Sequence, residues 1–199
     1  MIKRIIDILG AGFGLAVLSP VFLFVAAKVK MTDGGPVFYM GERAGKGGKY
    51  FKMFKFRTMV ANADKIGGPS TASDDPRLTK IGLFLKKYQL DELPQLINVF
   101  CGDMSLVGPR PEVKMYVDMM TPEEKGVILS VRPGMTDYAS LWNFHEGEIL
   151  AGSADPEKAY MEKIRPKKLE LQMKYVRERS LQADMGIIFK TVARILQRN

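Results

Sequence analysis

The longest apolar run of the chain lies near its start. Between residues 8 and 27 there is no charged side chain, and Leu, Val, Phe, Ala, Ile and Gly dominate. This length is close to the ~20 residues with which an α-helix crosses a bilayer. Ser19 and Pro20 interrupt the run, and a break or sharp kink is expected there because proline removes a helical donor and clashes one turn back. The pattern therefore predicts two helices separated by a break at Ser19 and Pro20.

Basic residues flank both ends of this run: Lys3 and Arg4 precede it, and Lys28 and Lys30 follow it. Positive charge is retained on the cytoplasmic side of a membrane, where a spanning helix has only one end. A re-entrant helix, which enters and leaves the membrane by the same face, would keep the basic residues at both of its ends on the cytoplasmic side. Ser19 can bond a backbone carbonyl that the kink frees. A plain transmembrane helix is the alternative. A signal peptide is disfavoured because the run is long and no small-residue cleavage site precedes a secreted domain.

Two short extended runs follow. Residues 36–40 and 50–59 have strand patterns, and the glycine-rich residues 41–48 between them predict a loop in which Arg43 and Lys46 can reach a phosphate. A short β-hairpin is therefore expected. If residues 50–59 form a strand, Lys55 and Arg57 share one face of it. An edge strand with a solvated basic face is the simpler interpretation of these charges.

Helical spacing dominates the rest of the chain. Residues 78–88 carry apolar side chains at positions 78, 81, 85 and 88, and a second helix is expected from Asp91 to about Phe100, with Gly102 ending it. Further helices are predicted at residues 112–120, 122–129, 156–164 and 166–179. A loop or lid is predicted at residues 67–76. A strand or a membrane-facing loop is predicted at residues 136–144, and His145 is expected on a surface loop. The tail, residues 181–198, is amphipathic and either lies in a membrane interface or packs on the core.

Composition narrows the fold and the partners. The 199 residues are 46% hydrophobic and 26% charged, which is typical of one globular domain with a small appendage. We expect a mostly helical α+β fold, with residues 1–30 as a membrane segment, either a re-entrant hairpin or a spanning helix, and residues 31–199 as one further domain carrying interfacial amphipathic helices. The net charge of +8 indicates an anionic partner: nucleic acid, acidic lipid or a phosphorylated substrate. The single Cys101 excludes an internal disulfide, and the single His145 argues against a histidine zinc site or a Ser-His-Asp triad.

The stretch LDELPQL, residues 90–96, places the adjacent carboxylates of Asp91 and Glu92 at the expected start of a helix. Acidic residues suit a first turn, where free N–H groups carry partial positive charge, and Pro94 loses no intrahelical bond there. The same field attracts phosphate and favours an ionised carboxylate. An ionised Asp91 beside a phosphate can act as a nucleophile, and Glu92 can bind Mg²⁺. An ordinary acidic helix start is the simpler alternative.

Stiff turns present two arginines farther along the chain. Pro109 and Pro111 restrict the backbone around Arg110, so that little conformational entropy is lost when its guanidinium binds a partner. Arg132 stands before Pro133 in a second turn of this kind. Such an arginine binds either a structural carboxylate or a substrate.

These motifs occur together and in order. LDELPQL is followed by Asn98, by GDMS at residues 102–105 and by VGPRP at residues 107–111. KRIIDILG, at residues 3–10, and FKFRTM, at residues 54–59, precede it. On these motifs the chain resembles the small monotopic phosphoglycosyl transferases of the bacterial sugar transferase family along nearly its whole length.

The resemblance implies an enzyme that transfers a sugar phosphate from a UDP-sugar to a polyprenyl phosphate, such as undecaprenyl phosphate, and releases UMP. It implies Mg²⁺ as cofactor and a place on the cytoplasmic face of the bacterial inner membrane, held by a re-entrant helix broken at the Ser-Pro pair. This reaction is the first membrane step of polysaccharide or glycoprotein assembly. The sugar, the polyprenol, the pathway and the oligomeric state, a homodimer included, stay open.

Site roles carry over by residue match. Asp91 corresponds to a nucleophile that forms a covalent phosphosugar intermediate, Glu92 helps to hold Mg²⁺, and Arg110 falls in the nucleotide-binding turn. The resemblance extends a substrate-binding role to further residues: Lys55, Arg57, Lys86, Pro109, Pro111 and Arg132. Lys86 departs from the family, which often has arginine there, and lysine lacks the bidentate fork. Residues 135–150 also depart from the family pattern, so the sugar cannot be inferred, and Asp184 is interpreted as structural.

Two other functions are consistent with part of the sequence. A catalytically degenerate scaffold that binds lipid phosphates at the membrane surface would share the anchor and the charge. The intact Asp-Glu pair argues against it. A nucleic-acid binder is suggested by charge alone, and the hydrophobic start of the chain disfavours it.

Overall fold

The computed structural model describes residues 2–63, 66, 72–144 and 149–197. It confirms a mostly helical α+β chain with a short antiparallel hairpin and a long apolar helix at its start. Residues 67–71 of the predicted loop at 67–76, and His145, lie outside the described residues.

Helix α1 (Ile2–Asp33) packs one face along the rest of the protein. Its buried residues are Asp7, Ala11, Val25 and Val29, whose spacing of whole helical turns places them on one stripe. The Asp7 carboxylate accepts hydrogen bonds from the Ser105 hydroxyl and the Leu106 N–H, both at 2.9 Å. Large apolar side chains are exposed elsewhere on the helix: Ile2, Ile5, Leu9, Phe13, Val17, Leu23, Phe24 and Met31.

The predicted break at Ser19 and Pro20 is absent from the helical structure. Helix α1 continues through both residues. Proline at position 20 leaves the carbonyl of Ala16 without its usual donor, and the Ser19 hydroxyl donates to that oxygen at 2.8 Å. The bond explains how the helix accommodates the proline, and it confirms the role expected for Ser19. The re-entrant course of the helix stays a prediction.

The hairpin consists of strands β1 (Phe38–Ala44) and β2 (Tyr50–Phe56), paired antiparallel with Gly41 opposite Met53. A 3₁₀ turn (Lys46–Gly48) connects them, so that the predicted loop is shorter than residues 41–48. Helix α2 (Lys80–Lys87) begins at the cap Thr79, whose side chain accepts the N–H of Gly82. A Cβ at Gly82 would lie 1.8 Å from the Thr58 carbonyl oxygen, so glycine allows α2 to lie directly against the end of β2.

Asp91 and Glu92 do not lie in the first turn of an α-helix. They belong to a separate 3₁₀ turn (Leu90–Glu92), and helix α3 (Gln95–Cys101) begins after Pro94. Between Leu90 and α3 the backbone bonds span three residues, from the Leu93 N–H to the Leu90 carbonyl and from the Leu96 N–H to the Leu93 carbonyl, so this segment is 3₁₀ and not α-helical. Gln89, in the left-handed region with φ 54°, separates it from α2. Gly102 ends α3 in the left-handed conformation, φ 100°, as predicted.

Strands β3 (Ser105–Val107) and β4 (Gly134–Thr136) form a parallel pair that the sequence pattern did not predict. Gly108 and Gly134 make the close approach of the two segments possible, since a Cβ on Gly134 would lie 2.0 Å from the Gly108 nitrogen. The Gly134 N–H donates to the Pro109 carbonyl at 2.9 Å. The two arginine-bearing turns are therefore neighbours.

Further helices complete the described part of the chain. They are α4 (Lys114–Asp118), α5 (Pro122–Ile128), α6 (Tyr138–Trp142), α7 (Pro156–Ala159), α8 (Arg165–Glu178) and α9 (Leu181–Leu196). A π-helical turn (Tyr160–Ile164) joins α7 to α8. The strand or loop predicted at residues 136–144 is wrong beyond Thr136, because Asp137 accepts the Ser140 N–H and caps α6.

Candidate active site

Asp91 is the acidic side chain at the centre of the candidate site. It is 6% exposed, and its carboxylate forms no hydrogen bond or ion pair with another residue in the described part of the chain. Burial raises the pKa of Asp91, and the adjacent charge of Glu92 raises it further, whereas Lys55, Lys86 and Arg110 oppose the shift. A buried carboxylate without partners is costly for stability, which indicates a functional role.

Glu92 has the opposite environment. Lys55 Nζ donates to its Oε1 at 2.9 Å, and Arg110 Nη2 contacts the same oxygen. Although burial raises the pKa of Glu92, the two cations outweigh it and hold the pKa well below its usual range. The two adjacent carboxylates therefore differ: Glu92 is ionised and paired, and Asp91 is held without a counterion in contact.

The turn at Arg110 is fixed from several sides. The Pro109 carbonyl accepts the Gly134 N–H, and Gln172 Nε2 donates to the Arg110 carbonyl at 3.2 Å. Arg110 Nη1 lies 3.4 Å from the Met135 carbonyl oxygen. Strands β3 and β4 and helix α8 thus position the guanidinium against Glu92 with few rotamers left to lose.

A cavity of about 650 Å³ opens beside the two carboxylates. Asp91, Glu92, Lys55, Lys86, Arg110 and Pro111 line it. Among the described lining residues there are six Lys or Arg side chains and three carboxylates, so the cavity has an excess of positive charge. Such a surface favours an anionic ligand of the size and charge of a diphosphate.

The cavity wall also contains a buried ion pair that the sequence did not indicate. Lys168 Nζ lies 2.8 Å from Glu112 Oε1 and donates to the Tyr160 hydroxyl at 3.0 Å. Both charged side chains line the cavity, and each is at most 8% exposed. Neither residue belongs to a motif, and Lys168 lies in an ordinary charged stretch of α8, so no local signal could have identified them.

The structure places the predicted site residues in three locations. Lys55, Lys86, Arg110 and Pro111 line the cavity with the carboxylates, and Arg43 of the hairpin joins them. Pro109 lines a smaller adjoining pocket.

Arg57 and Arg132 lie elsewhere. The Arg57 guanidinium binds both carboxylate oxygens of Asp33, and its Nε donates to the Pro36 carbonyl at 2.8 Å. Arg132 Nε donates to the Gly102 carbonyl at 2.7 Å. Neither side chain lines the cavity, and their contact with substrate stays a prediction.

Asp184 has structural contacts. Its Oδ1 accepts the Tyr175 hydroxyl at 2.7 Å, and its Oδ2 lies 2.5 Å from Lys3 Nζ. These bonds join the start of α1 to helices α8 and α9, which agrees with the structural interpretation of Asp184.

The residues at the site fit a magnesium ion of the kind found in phosphoryl transfer. Within the described ranges there is no cluster of three or more His, Cys, Asp or Glu side chains that could hold a metal. Mg²⁺ is commonly held by one or two carboxylates together with substrate phosphates, so a complete protein cage is not required. Both cations bind Oε1 of Glu92, which leaves its Oε2 without a bond to any described residue.

Helix α1 is the one described helix long and apolar enough to cross a membrane, by length and composition. Its mean hydropathy over the best 18 residues is 2.3, and only 11% of that window is buried. A soluble core helix would be mostly buried. An exposed apolar surface of this size is of the kind that contacts a membrane or another protein.

Comparison with known proteins identifies relatives. A family model described as "Bacterial sugar transferase" matches residues 1–198. The UDP-N-acetylgalactosamine-undecaprenyl-phosphate N-acetylgalactosaminephosphotransferase of Aeromonas hydrophila is 36% identical over 197 residues, which are 98% of this chain and 44% of that protein. The exopolysaccharide production protein ExoY of Sinorhizobium fredii is 38% identical over 205 residues, covering 96% of this chain and 83% of ExoY.

The UDP-glucose:undecaprenyl-phosphate glucose-1-phosphate transferase of Escherichia coli is 39% identical over 195 residues. These cover 96% of this chain and 39% of that protein. The chain thus spans less than half of the Aeromonas and E. coli relatives and most of ExoY. With a family model that matches from its first residue to residue 198, and with these identities, this chain is a member of the bacterial sugar transferase family.

Proposed function

We propose that this protein transfers a sugar 1-phosphate from a UDP-sugar to a polyprenyl phosphate, such as undecaprenyl phosphate, and releases UMP. The observation that carries the proposal is the buried, unpartnered Asp91 carboxylate on a cationic cavity in a chain with an exposed apolar helix. The names of the relatives, which specify UDP-sugars or undecaprenyl phosphate, support the same substrates.

The reaction has two steps. In the first, a carboxylate oxygen of Asp91 attacks the sugar-bearing phosphorus of the donor, the bond from that phosphorus to the UMP oxygen breaks, and an aspartyl phosphosugar forms. In the second, a phosphate oxygen of the polyprenyl phosphate attacks the same phosphorus. The bond to Asp91 breaks, its electron pair returns to the carboxylate, and a polyprenyl diphosphosugar leaves.

The surrounding residues stabilise charge. Arg110 and Lys55 lie on Glu92 beside the nucleophile, where they can offset the charge that develops on the donor phosphates and on UMP. Glu92 would hold Mg²⁺ together with donor phosphate oxygens, and the ion would supply further neutralisation of the diphosphate.

The membrane arrangement follows from α1. The helix contacts the rest of the protein near both of its ends, where Asp7 bonds Ser105 and Asp33 bonds Arg57. These contacts, and the basic residues at both ends, support a re-entrant course on the cytoplasmic face of the bacterial inner membrane. There the enzyme would meet a lipid acceptor whose phosphate lies at the interface.

The test is UMP release from a panel of UDP-sugars with Mg²⁺ and undecaprenyl phosphate. Without acceptor, the wild-type protein should give a burst of at most one UMP per protein with its correct donor. Asp91→Asn should abolish the burst, and turnover should fall by at least ~10³-fold because an amide is not a nucleophile. EDTA should stop the reaction in the wild type.

Normal turnover by Asp91→Asn would overturn the assignment of the nucleophile. The exposed Asp118→Asn, which breaks only a surface pair with Lys114, is the control and should keep wild-type activity. A wild-type protein that releases no UMP from any donor would instead favour a membrane scaffold without chemistry.

A further inference from the structure

Helix α2 lies between the apolar helix and the catalytic cavity. Its Ile81 and Leu85 pack against Val25 and Val29 of α1, together with Phe56. This places α2 beside the half of α1 whose outward side chains, Leu23 and Phe24 among them, are exposed.

The cavity opens to the outside along α2. Leu83 is 48% exposed and also lines the cavity that contains Asp91. Phe84, next to it, is 48% exposed as well. A ligand that enters at Leu83 therefore passes an apolar surface adjacent to the helix that contacts lipid.

Two lysines continue this surface along α2. Lys86 and Lys87 follow Leu83 by three and four residues, so all three share one side of α2, and all three line the cavity. Lys87 is exposed, whereas Lys86 is half-buried and its charge acts on Asp91. Along the chain, this side of α2 presents an apolar side chain and then two cations, and the nucleophile lies in the 3₁₀ turn that follows.

This order matches an amphiphile with an apolar chain and a phosphate head. Another part of the cavity wall differs, because it is lined by Lys168, Glu112 and Tyr160, which are polar and buried. An apolar chain would bury charge against that wall, whereas at Leu83 it can remain in contact with lipid.

We propose that the side of α2 formed by Leu83, Lys86 and Lys87 is the acceptor site of the enzyme. Leu83 contacts the first isoprene units of the polyprenyl phosphate, and the two lysines bind its phosphate as it approaches phosphorus on Asp91. The inference rests on the proposed function, and it assigns the second half-reaction to residues outside the Asp91–Glu92 motif.

Measuring the two half-reactions separately distinguishes an effect on acceptor binding from an effect on the donor. The first is measured without acceptor, as exchange of labelled UMP into the UDP-sugar that supports turnover. The second is measured as the KM for undecaprenyl phosphate, with the full-length protein in lipid nanodiscs. Leu83→Ser should raise this KM about tenfold, since an apolar contact is lost, and leave the exchange rate within about twofold of wild type. Lys87→Gln should also raise the acceptor KM.

Phe100→Ser is the matched control, because Phe100 is 50% exposed on α3 and does not line the cavity. It should change neither quantity. A short, water-soluble prenyl phosphate such as geranyl phosphate serves as the second acceptor. The effect of Leu83→Ser should persist with it, because the contact is to the chain next to the phosphate and not to the membrane.

Several results would overturn the proposal. They are an unchanged acceptor KM in Leu83→Ser, a loss of UMP exchange as large as the loss of turnover, or an equal effect in Phe100→Ser. Disappearance of the effect with geranyl phosphate would show that Leu83 acts through membrane contact alone. A wild-type protein that shows no exchange with any UDP-sugar would instead reject the proposed function.

Discussion

Three carboxylates close in the fold show how the environment of a single residue decides its chemistry. Glu92 is paired with Lys55 and Arg110 and stays ionised. Asp91, one residue earlier, has no such bond and its pKa is raised. Asp137 is fully buried, and only one of its carboxylate oxygens has a hydrogen-bond partner among the described residues. The pKa values of neighbouring carboxylates are therefore shifted in different directions, because their burial and their bonding partners differ.

Asp137→Asn should stabilise the protein at neutral pH. Burial raises the pKa of Asp137 although Ser140, Lys168 and Arg110 oppose the shift, so the folded state holds its proton to a higher pH than the unfolded state. Wild-type stability then falls as pH rises from about 4 through the raised pKa. Asparagine keeps the cap of α6 without the charge. The variant should gain roughly 1 kcal/mol at pH 7.5 and little at pH 4.5.

Thermal unfolding of the detergent-solubilised protein at both pH values measures this difference. A gain of equal size at both pH values would contradict the electrostatic explanation. Ser130→Ala, a change at an exposed position, serves as the pH control.

At the scale of elements, ion pairs and backbone bonds fasten α1 to the rest of the protein. The Arg57 guanidinium holds Asp33 at the end of α1 and the carbonyl of Pro36 in the connection to β1. The resemblance gives Arg57 a substrate-binding role, and in the structure its guanidinium closes the junction between helix and hairpin. Lys55, two residues earlier, supplies the contact to the site.

Arg57→Lys should therefore lower stability and not substrate affinity. Lysine cannot reproduce the forked contact with Asp33, so we expect a lower melting temperature. The KM for the UDP-sugar should stay unchanged. Arg177→Lys, whose pair with Glu123 is exposed, should change stability by less than ~0.5 kcal/mol. A raised donor KM at unchanged melting temperature would restore a phosphate-binding role to Arg57.

At the scale of the whole molecule, apolar surface is exposed on two long helices. Besides α1, helix α9 exposes Met185, Phe189 and Val192 while it packs Ile187 on Val107 and Tyr175. The tail thus packs on the core, as one of its two interpretations predicted, and still presents the apolar stripe that the other interpretation places in a membrane interface. With a net charge of +8, these surfaces favour an anionic bilayer.

The course of α1 can be tested by cysteine accessibility. In a Cys101→Ser background, Ile2→Cys and Met31→Cys place exposed thiols at the two ends of the helix. Both should react with a membrane-impermeant maleimide in inside-out vesicles and neither in intact spheroplasts. Ser130→Cys, at an exposed position far along the chain from α1, is the control that reports the side of the membrane on which the catalytic domain lies. Reaction of the two ends from opposite sides would establish a spanning helix and contradict re-entry.

The sequence by itself determined what depends on local order. Alternating and helical spacing predicted the hairpin, helix α2 and helix α5, and the chemistry of glycine predicted the end of α3 at Gly102. The motif around Asp91 identified the central carboxylates because their position relative to one another is set by adjacent bonds. The apolar run predicted α1, since its length and composition are visible without any partner.

Only the tertiary structure decided which side chains meet across the chain. The pairing of β3 with β4 brings Pro109 to Gly134, and α8 brings Lys168 to Glu112, over separations that leave no periodic signal. It also separated Lys55 from Arg57, which share a strand face in the pattern but bind Glu92 and Asp33, respectively. The physical reason is that the role of a charged side chain depends on the partner nearest to it in space. That partner is determined by packing and burial and not by sequence spacing.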